Sequence, residues 1–190
     1  MLLLVGLGNP GSNYTNTRHN IGFKIIDAIN IHFKLSKQKP KFKGLLTTGN
    51  IVEKKIYAIK PLTFMNNSGT AMKELIDYFK IDAKDVFVFH DDMDIDFGKI
   101  KAKFGGSSAG HNGIESIDKF IGKEYSRVRI GIGHPKEKKR VNNHVLEDFK
   151  DDEEEKINDI TKNIVKQLST LIEKKIDLFS SKVNQNLNGI

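Results

Sequence analysis

The chain of 190 residues contains no cysteine. That absence excludes disulfides, a thiol nucleophile and Cys-ligated zinc. Long hydrophobic runs are missing too, and no apolar stretch approaches the ~20 residues that a membrane-spanning helix needs. The first apolar run, Met1 to Val5, stops at Gly6 and has no basic leader. It is too short for the apolar region of a secretory signal, so a cytoplasmic location is expected. Arginine is scarce, with Arg18, Arg127, Arg129 and Arg140 set against 27 lysines. Lysine cannot replace a planar guanidinium fork on phosphate or carboxylate. These four positions are therefore candidates for anion binding or for ion pairs inside the fold.

What is present describes a soluble globular chain, with 38% hydrophobic and 29% charged residues. The length fits one domain that can bury a substantial core. No internal repeat and no second domain is evident. The net charge of +7 is unevenly spread, because Glu147 to Glu155 alone carries −6 and the remainder +13. A positive field of that size favours a polyanion such as nucleic acid. A lysine-rich compositional bias would produce the same charge with no binding purpose.

Four short apolar runs each break off into a loop with an amide or an imidazole. Leu2 to Val5 leads to Asn9 and then His19. Ile56 to Ile59 leads to Met65-Asn66. Val86 to Phe89 leads to His90-Asp91. Ile100 to Phe104 leads through a glycine-rich loop to His111-Asn112. Ligands of open α/β sheets bind outside the carboxyl ends of the strands. If the runs are neighbouring parallel strands, three Asn, a His and an Asp converge on one pocket. That set suits a hydrolase that attacks with water, having a base, an orienting carboxylate and neutral donors for a carbonyl.

Between these runs, helical spacing appears at Ile21, Ile25, Ile26, Ile29 and Phe33, with Asn20 as a cap. Lys34 to Lys43 reads as a basic linker, and the next stretch as a hairpin turning at Gly49-Asn50. Ser68 or Thr70 caps a second helix through Phe79. Gly98 to Phe104 alternates lysines with apolar residues, giving a strand with one basic face. A helix over Asn112 to Ile121 and a strand over Ser126 to Gly133 follow. Asp151 to Glu155 suits a helix N-terminus, and an apolar stripe continues from Ile157 to Leu187. The alternation predicts an α/β fold, a single-domain three-layer sandwich with a mixed, twisted sheet flanked by helices.

Three motifs need weighing. Gly6-Leu7-Gly8-Asn9-Pro10-Gly11 fits the dinucleotide pattern GxGxxG, but Pro10 has no N–H for a pyrophosphate and turn formers follow instead of a helix. The glycines fit better as a turn that directs Asn9 into a pocket. Asp91, Asp92, Asp94 and Asp96 match neither an EF-hand nor a zinc spacing. A carboxylate straight after a buried strand fits the orientation of a histidine. His19, in a polar loop, is the best base candidate; His90 is expected on the opposite side of the strand from Asp91. Gly105 to Gly110 is either a plain linker or a gate that closes on substrate.

These stretches, VGLGNPGSNYTNTRHNIGF, KPLTFMNNSG, HDDMDIDFGKIKAKFGGSSAGHNG and RVRIGIGHP, together resemble the bacterial-type peptidyl-tRNA hydrolases. The resemblance implies hydrolysis, without metal or other cofactor, of the ester joining a peptide to the 3′ ribose of tRNA. It implies a monomer whose partner is the acceptor stem and 3′ CCA end of peptidyl-tRNA. By position, His19 resembles the general base, Asp91 its partner and Asn9 the substrate-positioning amide. Tyr14, Met65, Asn66, His111 and Asn112 match substrate-binding positions. Lys101, Lys103, Arg129 and Arg140 match regions that contact tRNA phosphate. Asp96, where proline is common, and Ser107-Ser108 depart from the family pattern. Two other readings are a non-catalytic binder of tRNA ends and a nicotinamide oxidoreductase.

Overall fold

Strand β1 (Leu2–Gly6) is buried along its whole length, and the helix that follows the loop after it, α1 (Ile21–His32), lies against its carboxyl end. Their contact depends on two glycines. A Cβ on Gly6 would stand 2.1 Å from the Gly22 carbonyl oxygen, and one on Gly22 would stand 2.3 Å from the Leu7 nitrogen. Any side chain at either position would lift the helix off the strand. The close approach holds the turn at Arg18–Asn20, just before α1, against the end of the sheet.

The computed structural model describes residues 1–135 and 141–187. The remaining strands are β2 (Lys39–Lys41), β3 (Gly44–Ile51), β4 (Lys54–Pro61), β5 (Val86–Asp92), β6 (Ile100–Phe104) and β7 (Ser126–Gly131). The helices after α1 are α2 (Ser68–Phe79), α3 (Asn112–Ile121), α4 (Val141–His144), α5 (Asp151–Lys166), α6 (Leu168–Ile172) and α7 (Ile176–Leu187). Among the described residues one mixed sheet has the order β2-β3-β4-β1-β5-β7-β6. The central neighbours β4, β1, β5 and β7 are parallel, and β2, β3 and β6 are antiparallel additions at the two edges.

Pleat alternation divides the core in two. Leu4, Phe87, Phe89 and Val128 pack with α1, α5 and α7 on one face. Leu3, Val5, Val86 and Val88 pack with α2 and α3 on the other. The result is the expected three-layer α/β sandwich.

Several local expectations change. The hairpin turns at Val52-Glu53, not at Gly49-Asn50, and both turn residues have positive φ, 49° and 59°. Gly49 instead pairs with Ile56 inside the ladder. The basic linker contains a short edge strand, Lys39–Lys41, whose lysines and proline discourage pairing with another chain. The fourth apolar run, Ile100–Phe104, is not a parallel neighbour but an antiparallel edge. Its outer backbone groups are covered by α7: Ile100 N donates to Asn184 Oδ1 at 3.0 Å, Asn184 Nδ2 donates to the Ile100 carbonyl at 2.9 Å, and Ala102 N donates to Ser180 Oγ at 2.8 Å. Among the described residues no helix is long and apolar enough to cross a membrane.

Candidate active site

The carboxyl ends of β1, β4 and β5 open into a cavity of about 670 Å³. Asn9, His19, Met65, Asn66, Asp91, His111 and Asn112 line it, with Phe64, Met93, Val145 and Leu146 as apolar wall. Seven of the predicted catalytic and substrate-binding residues therefore meet in one place. Tyr14 does not reach it. Its ring meets that of the lining residue Phe64 edge-on, with centroids 6.5 Å apart.

Asp91, the penultimate residue of β5, is buried and sits between two imidazoles. His19 Nδ1 lies 2.8 Å and His111 Nε2 3.0 Å from the same oxygen, Oδ1. Burial pushes the Asp91 carboxyl up, but the facing His19 and His111 outweigh it and hold it well below the usual carboxylate range. Burial likewise opposes a charge on His19, and the Asp91 carboxylate overcomes this by charge and hydrogen bond, so the His19 pKa is raised. An ionised Asp91 can only accept, so neutral His19 carries its proton on Nδ1 and presents a bare Nε2.

His111 has both ring nitrogens committed within the protein. It is the N-cap of α3, and its Nδ1 accepts from Gly113 N at 3.1 Å and Ile114 N at 3.3 Å. A nitrogen that accepts two backbone N–H groups carries no proton, so Nε2 holds it and donates to Asp91. This bears on metal binding, because His19, Asp91 and His111 offer ligand atoms within 4.8 Å of one another. A metal on His111 Nε2 would move its proton to Nδ1, where it would oppose the two capping donors. The capping geometry favours proton sharing over metal ligation.

Asn9 is fixed at three points. Its backbone N donates to Asn20 Oδ1 at 2.8 Å, and its carbonyl accepts from Asn20 Nδ2 at 2.9 Å. Its own Oδ1 accepts from Met65 N at 2.8 Å. The amide oxygen is thus used, and Nδ2 is the group left for the cavity. Asn20 stands at the N-cap of α1 as expected, but its side chain makes no cap hydrogen bond there and braces Asn9 instead. The loop after Gly11 turns through Ser12–Tyr14, and α1 begins only at Ile21. No α-helix starts at the glycines, only the single 3-10 turn Ser12–Tyr14, so the dinucleotide reading has no site.

Arg18 is buried, and its fork faces the chain itself. Nη1 donates to the carbonyls of Glu147 at 3.1 Å and Asp148 at 2.6 Å, Nη2 meets Glu153 at 2.6 Å, and the guanidinium lies 5.3 Å from the Phe149 ring centre. His19 N also donates to the Val145 carbonyl at 2.8 Å. Together these bonds hold Val145 and Leu146 over the cavity. Of the two uses expected for the arginines, Arg18 takes the ion pair inside the fold; nothing in the sequence named its partners or the bracing by Asn20.

His90 lies on the opposite face of β5 from Asp91, as expected. It is fully buried, and burial holds its pKa well below the ordinary value. The glycine-rich loop is anchored at its root: buried Arg127 donates to the Ser107 carbonyl at 2.7 Å and the Gly106 carbonyl at 2.8 Å. Any gating motion is left to Ser108, Ala109 and Gly110, which line the cavity.

The basic face is built on β6 and β7. Lys101 stands opposite Arg129, and Lys103 opposite Arg127. Lys101 and Lys103 are exposed. Arg129 Nε donates to Asp92 Oδ2 at 2.7 Å. Arg140 lies outside the described residues.

Comparison with known proteins fits this arrangement. The family model described as Peptidyl-tRNA hydrolase matches residues 3–189. The peptidyl-tRNA hydrolase of Pelagibacter ubique is 71% identical over 184 residues, covering 97% of this chain and 99% of the relative. That of Ehrlichia ruminantium (strain Welgevonden) is 46% identical, covering 95% and 93%. The crystal structure of peptidyl-tRNA hydrolase from Acinetobacter baumannii superposes with a TM-score of 0.90 at 34% identity, covering 97% of this chain and 94% of that one. This chain belongs to the peptidyl-tRNA hydrolase family.

Proposed function

We propose that residues 1–190 form one catalytic domain that hydrolyses peptidyl-tRNA with water activated by His19. The bond broken is the ester between the peptide and the 3′ ribose, and the products are a free peptide and tRNA. The observation that carries the roles is the 2.8 Å contact of His19 Nδ1 with Asp91 at the edge of the cavity. Asp91 fixes the tautomer, so Nε2 takes a proton from water as that water attacks the ester carbonyl. The proton then passes to the departing 3′ oxygen.

Asn9 Nδ2 donates to the oxyanion as it forms. A preorganised donor of this kind is worth about 3 kcal/mol. His111 acts on Asp91 and not on substrate, since neither of its ring nitrogens is spare. Asn66 and Asn112 bind the peptide amides, and Met65 and Phe64 support the apolar wall. Neutral amides hold an N-blocked chain without placing a charge in the cavity, whereas a free aminoacyl ester would bring an uncompensated ammonium. Lys101, Lys103 and Arg129 hold acceptor-stem phosphates without reading sequence. The enzyme acts as a monomer in the cytoplasm.

The test is turnover of an N-blocked aminoacyl-tRNA. The protein releases free tRNA without added metal, and His19→Ala loses about 10²–10⁴-fold in kcat while its melting curve keeps the shape of a folded protein. Near-normal turnover by that variant removes His19 as the base.

A further inference from the structure

Asp91 and Asp92 are adjacent, yet β5 sends them to opposite faces of the sheet. Asp91 faces His19. Asp92 belongs to the face that carries His90 and Arg129, the pair set opposite each other in the β5–β7 ladder. The Asp92 carboxylate is buried and held at both oxygens: Oδ1 accepts from Asp94 N at 2.9 Å, and Oδ2 accepts from Arg129 Nε at 2.7 Å. Its side chain is 7% exposed and that of Arg129 21%. The terminal amino groups of Arg129 have no partner among the described residues, and Lys101 stands beside it on β6. Asp92 also lines the cavity.

We infer that Asp92 is a positioning residue for RNA: it grips Arg129 by Nε so that the two terminal amino groups stand as a fixed fork for a backbone phosphate. This rests on the phosphate-binding role given to Arg129 above. A guanidinium binds phosphate best through two parallel N–H donors, and holding Nε removes the rotation that would misalign them. Because Asp92 is one peptide bond from Asp91, the fork is set at a fixed distance from the carboxylate that orients His19. A phosphate seated on Arg129 therefore places the 3′ ester in register with the base.

A carboxylate beside an arginine has an opposite effect as well, since it partly neutralises the cation and repels phosphate. The two effects predict opposite signs, which makes the inference decidable. The experiment measures KM and kcat on N-blocked aminoacyl-tRNA, and the affinity for deacylated tRNA against salt, for Asp92→Ala, Asp92→Asn, Arg129→Ala and the Asp92→Ala/Arg129→Ala pair. Positioning predicts that Asp92→Ala raises KM and the tRNA Kd about tenfold with a much smaller change in kcat. Asp92→Asn, which keeps one acceptor oxygen, falls between it and the parent. The double variant is no weaker than Arg129→Ala alone, because the carboxylate works only through that guanidinium. If Asp92→Ala does not fold, Asp92→Asn carries the test with the same sign. Tighter or unchanged tRNA binding in the Asp92 variants, with Arg129→Ala still weakened, overturns the inference and leaves the phosphate role standing. Unchanged binding in Arg129→Ala removes the phosphate role itself.

Discussion

Asn20 grips the peptide of Asn9 from both sides, accepting from its N–H at 2.8 Å and donating to its carbonyl at 2.9 Å. The pair is buried, and the two positions lie eleven apart in the sequence. With Asn9 Oδ1 also taken by Met65 N at 2.8 Å, the planar amide is held and its Nδ2 points in one fixed direction. Asn20→Ala leaves both backbone groups of Asn9 without their partner, a cost of about 2 kcal/mol. The expected result is a lower melting temperature and, from the oxyanion role proposed for Asn9, a kcat reduced roughly tenfold or more, since a loosened donor no longer stands at a fixed point. Thermal melts and turnover on one preparation check this.

The pH profile reports on Asp91. In its proposed role as base His19 must be neutral to accept a proton, so activity is expected to rise with pH through its raised pKa. The acidic limb of kcat/KM is expected above the ordinary histidine value. In Asp91→Asn the charge that raises the pKa is gone and burial remains, so the limb moves to lower pH. Turnover also falls by about 10²–10⁴-fold as the tautomer is no longer fixed. A limb that stays in place, followed by initial rates across pH, would separate His19 from Asp91.

His111 performs two tasks that one substitution can divide. Asparagine is a good N-cap but too short to keep the bond to Asp91. His111→Asn should retain the stability that His111→Ala loses, about 1 kcal/mol. Both variants leave Asp91 with His19 as its sole imidazole partner. The carboxylate then pulls harder on His19, and the acidic limb shifts to higher pH. Denaturant melts and the pH dependence of kcat/KM distinguish the two tasks.

Lys103 stands exposed on β6, near the Gly106 turn. Lys103→Ala should weaken tRNA binding and reduce the slope of log affinity against log salt by about 1. Equilibrium binding at several salt concentrations gives that slope directly. An unchanged slope removes Lys103 from the phosphate contacts.

Much of the site was legible because it sits at the ends of strands that composition makes obvious. Leu2 to Gly6 and Val86 to Asp92 are uninterrupted buried runs, and the polar residues at or just past their ends, Asn9 and Asp91, read as pocket residues in preference to a dinucleotide loop and a metal site. The hairpin was harder to read. Gly49 and Asn50 are the stronger turn formers, yet ladder pairing from Gly44 to Ile51 carries them into the strand and forces Val52 and Glu53 to positive φ. Tertiary pairing outweighed local turn preference there. Tyr14 is expected to line the pocket; Phe64 does so, and Tyr14 meets it edge-on, a choice between neighbouring aromatics that position in a motif does not make.

Local chemistry in the chain set the strands, the helices, the absence of thiol or disulfide chemistry, and a short list of amides, imidazoles and carboxylates. Those properties depend on residue type and on periods of two or 3.6, which a sequence displays directly. Which of these groups share a proton was settled only when the chain packed. Gly6 and Gly22 let α1 down onto β1, bringing His19 to an aspartate 72 positions away, while the start of α3 delivers His111 to the same oxygen. Hydrogen bonds act over about 3 Å, and contacts of that length between distant segments follow from how the layers fit together.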